Sequence, residues 1–114
     1  MSDRDRVIID KMIKYCQDSI KYVSGLSFEE FSSSELYLTF SIFALSQLGE
    51  LVPRLGEDVR NRYIEIPWNA IRSLRNKIVH EYDGIQYRVV WDTLTGDIPA
   101  LIRHLQSIKG SDSL

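Results

Sequence analysis

Arg75 and His80, five positions apart, are the residues whose chemistry stands out first in this chain. A guanidinium stays charged at any ordinary pH, and an imidazole titrates near neutrality. Such a pair can hold an anion such as a phosphate and move a proton beside it. The apolar spacing predicts a helix over 67–82. On it Trp68, Ile71, Leu74, Ile78, Val79 and Tyr82 share one side, with Arg75 in their midst. An arginine in an apolar stripe must be paired, hydrogen-bonded or set at a cleft. Two partners fit: an acidic group on a neighbouring helix, Glu50 for example, or the phosphate of a substrate. His80 falls on another face with Asn69, Ser73 and Asn76, a small polar strip that is either solvated or the floor of a site. In the final helical turn the dipole favours the imidazolium. Five residues set Arg75 and His80 about 140° apart on an ideal helix. They converge if the helix end is distorted, if the arginine reaches round, or if a second copy supplies half of the site. The last option explains an arginine at an apolar seam and predicts a composite site on a two-fold axis.

Other chemistries fit less well. His80 and His104 lie on different predicted helices, and no carboxylate–histidine spacing suggests a ligand cluster. No metal or cofactor is expected. The single cysteine, Cys16, excludes an internal disulfide and sits on a core stripe. There is no glycine-rich phosphate loop.

The elements that must position the pair are helical nearly throughout. Ile9, Ile13, Cys16, Ile20 and Val23 form one stripe, closed by Gly25. Ser27 and Glu30 read as a capping box opening a short turn. A second helix is predicted over 34–54, with a stripe of Leu36, Phe40, Phe43/Ala44, Gln47/Leu48 and Leu51, ending at Pro53. Gly49 inside it should admit a close neighbour. Residues 56–66 form a polar connector with one helical turn over 58–63. Pro67 opens the third helix, which Asp83 and Gly84 stop. A fourth starts near Gln86, with a kink or restart at Pro99.

The fold class expected is all-α: an up-and-down antiparallel four-helix bundle with a short extra helical turn, homodimeric. At 114 residues, 44% hydrophobic and 26% charged, the chain reads as one domain over 1–110 with a frayed tail at 111–114. A net charge of −2 argues against a protein that coats nucleic acid, but not against an enzyme gripping a few nucleotides. No run approaches the roughly 18 consecutive apolar residues of a bilayer span, and the charged N-terminus is unlike a signal peptide. A cytoplasmic protein without membrane contact is expected.

The segment Arg75-Asn76-Lys77-Ile78-Val79-His80-Glu81-Tyr82 has the form R-x-x-x-x-H-x-Y and resembles the signature of HepT toxins, ribonucleases of the HEPN superfamily. Leu26-Ser27-Phe28-Glu29-Glu30-Phe31, Leu48-Gly49-Glu50, Ile66-Pro67-Trp68, and Val90-Trp91 followed by Asp97-Ile98-Pro99 also resemble stretches of that family in order and spacing. The resemblance implies an all-helical homodimer with active sites near the dimer cleft, and metal-independent RNA cleavage. It implies catalytic roles for Arg75 and His80, and a partner antitoxin of the MntA type, a minimal nucleotidyltransferase that attaches AMP to Tyr82. RNA carries its own nucleophile, so proton transfer by His80 and charge stabilisation by Arg75 suffice, with Asn76 and Ser73 in support. Glu81 and Asp83 flank the motif and should keep RNA affinity modest. Two alternatives stand beside the toxin: a non-catalytic nucleotide- or partner-binding subunit of a nucleotidyltransferase complex, and a structural homodimer with Arg75 in an ion pair.

Overall fold

A computed structural model describes residues 1–80 and 84–112, with His80, Ile85 and Asp112 described through their backbone alone. The described chain is all-α apart from one hairpin of two-residue strands. Helix α1 spans Asp3–Lys21 and is capped by Ser2, whose hydroxyl accepts from the Asp5 amide at 3.0 Å. It buries Ile8, Ile9, Met12, Ile13 and Cys16, with Ile20 half-buried at the edge. Gly25, at φ +83°, makes the left-handed turn that follows. The capping box forms as read: Ser27 Oγ accepts from the Glu30 amide and Glu30 Oε1 from the Ser27 amide, opening α2 over Phe28–Ser32. Ser34 caps α3, Glu35–Leu51, and a 3₁₀ turn over Val52–Arg54 places Pro53 at its end. The connector holds α4 over Glu57–Arg62.

The third predicted helix is two pieces, α5 over Trp68–Arg72 and α6 over Leu74–Ile78, separated at Ser73 with φ −95° and ψ 6°. The chain then leaves helical geometry. Strand β1, Val79–His80, pairs antiparallel with β2, Gly84–Ile85, with His80 opposite Gly84. Gly84 takes φ +75°, which a side chain disfavours. Helix α7 covers Tyr87–Asp92, a π turn covers Thr93–Asp97, and α8 covers Ile98–Asp112. Pro99 has no N–H to give the carbonyl four residues earlier, and the wide turn before it accommodates that loss. There the Thr93 and Thr95 hydroxyls bond back to the Val89 and Trp91 carbonyls at 2.7 and 2.9 Å.

Helix α1 lies between α3 and α8, and α3 packs on α5 and α6 along its other flank. Edge-on ring pairs Tyr15–Phe43 and Tyr22–Phe40 fix α1 and α3 as antiparallel. The α7 end packs on α2, where Trp91 meets Phe28 and Phe31. The core is continuous from Ile9 and Met12 through Leu45 and Leu48 to Leu94, Ile98 and Leu105.

Three expectations are corrected. Helical structure ends at Ile78 rather than Tyr82, because the chain turns into the hairpin and the Gln86 amide donates to the Ile78 carbonyl at 2.9 Å. The fully buried Ile78 pins that exit. The stripe drawn on the second helix is rotated: Leu38, Ser41, Ala44, Leu45, Leu48 and Leu51 face the core, while Leu36 is 75% and Phe43 52% exposed. That helix is apolar on nearly every side, so periodicity could not choose its face. Arg75 is exposed rather than set in an apolar stripe. Helix α8 runs through Asp112, two residues into the expected tail. Glu35–Arg54 satisfies the length and composition of a bilayer span; here it is the central helix of the bundle.

Candidate functional site

Position begins at Trp68. Its indole N–H donates to the Tyr63 carbonyl at 3.1 Å and its backbone N–H to the Ile66 carbonyl at 2.8 Å, which fixes the start of α5. Trp68, Ile71, Leu74 and Ile78 are buried and hold the two short helices to the bundle. Gly49 sets how closely α3 approaches: a Cβ there would stand 2.8 Å from the Ile71 carbonyl oxygen and 3.2 Å from that of Arg72. Only a residue without a side chain allows this seat. The close approach expected at Gly49 is thus present, and it falls on the turn where α5 gives way to α6.

That interruption changes the setting of Arg75. After Ser73 the phase restarts with Leu74 and Ile78 inward, and Arg75 points to solvent. The Val79 amide donates to the Arg75 carbonyl in the last helical hydrogen bond before β1. Glu50 is also exposed, and among the described residues no ion pair joins it to Arg75. His80 lies two residues past the helix, on the hairpin, and not in a final helical turn. Its separation from Arg75 is set by a helix-to-strand corner, not by 140° of winding. Ser73 forms that earlier break, its amide donating to the Asn69 carbonyl and its carbonyl accepting from Lys77; its side chain and that of Asn76 are exposed. Tyr82, with Glu81 and Asp83, lies outside the described residues.

Charge supplies a signal that motif reading passes over. From Ile66 to His80 the sequence has no acidic residue, yet it contains Arg72, Arg75 and Lys77. All three are exposed, and among the described residues none has an ion pair. A chain of net charge −2 therefore concentrates unneutralised positive charge on the short helices that lead to His80. Such a strip attracts phosphate. Arg72 and Lys77 were legible as members of an acid-free run. Beside it, between α5–α6 and the start of α8, opens a groove of about 470 Å³ floored by Leu74, Ile98 and Leu101, with Lys77, Asp97 and His104 at its edges.

Two acids and the thiol complete the electrostatics, all away from this strip. The Gly56 amide, bonded to Asp5 at 3.0 Å, holds the Asp5 carboxyl below its ordinary range, with the Ser2 hydroxyl helping and burial opposing. The Ser27 amide and hydroxyl do the same for Glu30. Burial pushes the Cys16 thiol up to about 12, leaving it a packing residue.

A family model described as "Ribonuclease HepT-like" matches residues 12–108. Among curated proteins, the chain is 31% identical over 103 residues to "Putative RNase TTE0752" of Caldanaerobacter subterraneus subsp. tengcongensis, covering 90% of this chain and 92% of that one. It is 32% identical over 89 residues to "Probable ribonuclease HepT" of Thermococcus cleftensis, covering 78% and 81%. A third relative, "Putative RNase MJ0127" of Methanocaldococcus jannaschii, is 30% identical over 103 residues, 90% of this chain and 85% of that one. No solved structure matches the chain.

Proposed function

The chain belongs to the HepT-like ribonuclease family of HEPN proteins, and we propose that it cleaves RNA without a metal, using Arg75 and His80. The observation that carries the reading is the acid-free strip of α5–α6, where Arg75 stands exposed and unpaired among the described residues, directly before the hairpin bearing His80. In the proposed step a base takes the proton of the ribose 2′-hydroxyl. The 2′-oxygen then bonds to phosphorus, the bond from phosphorus to the 5′-oxygen breaks, and that oxygen receives a proton. The products are a 2′,3′-cyclic phosphate and a free 5′-hydroxyl. His80 carries one of these protons. Arg75 neutralises the charge that builds on the non-bridging oxygens, with Arg72 and Lys77 drawing the strand in and Ser73 and Asn76 lining the approach.

The same reading makes the protein the toxin of a cytoplasmic toxin–antitoxin pair, restrained by an MntA-type nucleotidyltransferase that places AMP on Tyr82. In sequence Tyr82 is two residues from His80. Bulk and negative charge there would oppose both strand entry and the phosphate-binding role of the strip. The active form in this reading is a homodimer with a site composed from both copies.

The test is purified protein with single-stranded RNA in EDTA. Wild type cuts, and His80→Ala lowers the rate by roughly 10²–10⁴-fold with helical circular dichroism unchanged. Cleavage that persists in His80→Ala, or that EDTA abolishes, overturns the mechanism.

A further inference from the structure

Between α5–α6 and the start of α8 lies a groove that the proposed cleavage step does not use. Its floor is apolar, with Leu74, Ile98 and Leu101 buried, and its volume is about 470 Å³. Ala70 on one wall and Ala100 on the other keep it open. Small-molecule sites have this make-up, an apolar bed of roughly 300–1,000 Å³ with a few polar groups at its edge. The charged and titratable groups at this edge are Lys77, Asp97 and His104. All three are exposed, and among the described residues their side chains have neither a hydrogen bond nor an ion pair. A second opening, between α1 and the end of α8, differs: there the Asp10–Lys109 pair at 2.6 Å closes two charges on each other.

The groove adjoins the acid-free strip, and Lys77 belongs to both. Single-stranded RNA with its phosphates on that strip has unstacked bases free to turn into such a bed. Asp97 is the one acid among the described residues that line the groove. Beside a phosphate-binding strip a carboxylate repels the backbone, so it lowers affinity unless it accepts hydrogen bonds from a base. When ionised it has two acceptor oxygens and no donor. Of the four RNA bases, guanine alone presents two adjacent N–H donors on its Watson–Crick edge, at N1 and N2. Adenine and cytosine offer one donor beside an acceptor, and uracil one donor between two acceptors. His104 adds a flat ring on which a purine can stack. A hydrophobic surface seated here instead would bury Lys77 and Asp97 without compensation.

We propose that this groove binds a guanine base of the RNA strand, with Asp97 accepting from N1 and N2 and Lys77 holding the adjoining phosphate. This rests on the ribonuclease reading above and adds a base preference to it. The π turn over Thr93–Asp97 sets Asp97 directly before α8, so one segment supplies both the group that reads the base and, through Ile98, part of the floor.

Fluorescence anisotropy with labelled 2′-O-methyl pentamers tests it, using an all-uracil strand and strands with one central guanine, adenine or cytosine. The guanine strand is expected to bind about ten-fold tighter than the other three. Asp97→Asn should remove that difference without lowering the affinity for the all-uracil strand. Ala70→Trp, which fills the groove from an exposed position, should remove it as well, and keeps the test usable if Asp97→Asn disturbs the π turn. Lys77→Ala should weaken all four strands alike. Helical circular dichroism checks that each variant folds. Equal affinity for the four strands, or a guanine preference that the folded variants at Asp97 and Ala70 retain, overturns the proposal. So does the absence of binding, as a groove covered by a second copy would give. The probes have no free 2′-hydroxyl and are not cut, so the two readings fail separately. A protein that selects guanine but degrades no RNA keeps the groove and loses the ribonuclease; one that cuts RNA without selecting guanine does the reverse.

Discussion

Asp5 shows how one side chain can tie distant parts of the sequence. Its carboxylate accepts from the Gly56 amide, 51 residues away, and from the Ser2 hydroxyl. The bond joins the first turn of α1 to the entry of α4, and a Cβ at Gly56 would crowd the Asp58 and Asp5 carboxylates. Because the folded protein holds the Asp5 carboxyl below its unfolded value near 3.9, it stabilises the fold fully above that pH. The contribution is lost as pH falls through the lower folded value. Wild type should therefore exceed Asp5→Asn in thermal midpoint at pH 7, with the gap closing toward pH 3. A gap that stays constant with pH would show that the carboxylate charge is not what the bond uses. At Arg75 the lesson differs. Its side chain is exposed, so truncation should leave stability nearly unchanged while costing roughly 10²–10³ in cleavage rate. Thermal midpoints measured beside RNA turnover separate the two.

At the scale of elements, the join between α5 and α6 depends on Gly49. Gly49→Ala brings a methyl group to 2.8 Å from a backbone carbonyl, which α5 can relieve only by moving. A loss of about 1–3 kcal/mol is expected, read as the denaturation midpoint, together with a drop in RNA cleavage larger than the stability loss alone would give. Unchanged values in both would remove the wedge from the account. Much at this scale was legible in the sequence, because local signals decide it: the Ser27–Glu30 box, the ends marked by Gly25 and Pro53, and the start of α7 after Gln86. What escaped was decided by tertiary contact. The apolar residues of α3 fit more than one face, and only packing against α1 and α6 selects Leu38, Leu45 and Leu48. The pattern 68–71–74–78 suits one helix through Tyr82, and only the hairpin with Gly84 draws Val79 and His80 out of it. The motif pair was legible by type and spacing, whereas the exposure of Arg75 depended on the break at Ser73.

For the whole molecule, a site composed across two copies predicts complementation. Arg75→Ala and His80→Ala proteins, each inactive, should regain activity when unfolded together and refolded. Half of randomly formed dimers are mixed, and each mixed dimer holds one intact arginine–histidine pair out of two. Recovery should therefore approach about a quarter of the wild-type rate; no recovery would place both groups in one chain. The last third of the chain makes a different demand on the whole. The π turn over Thr93–Asp97 joins α7, which packs on α2, to α8, which packs on α1, and it sets the rotation between their apolar faces. A π turn holds one residue more than an α turn, and removing it would wind α8 by about 100°, carrying Leu101, Leu105 and Ile108 away from α1. Gly96, in that turn, has nothing within 4 Å of where a Cβ would stand. Changing it to alanine should be harmless or mildly stabilising in chemical denaturation, whereas deleting it should collapse cooperative unfolding. What this position contributes is a count of residues, acting as a gear tooth between the two halves of the last helix.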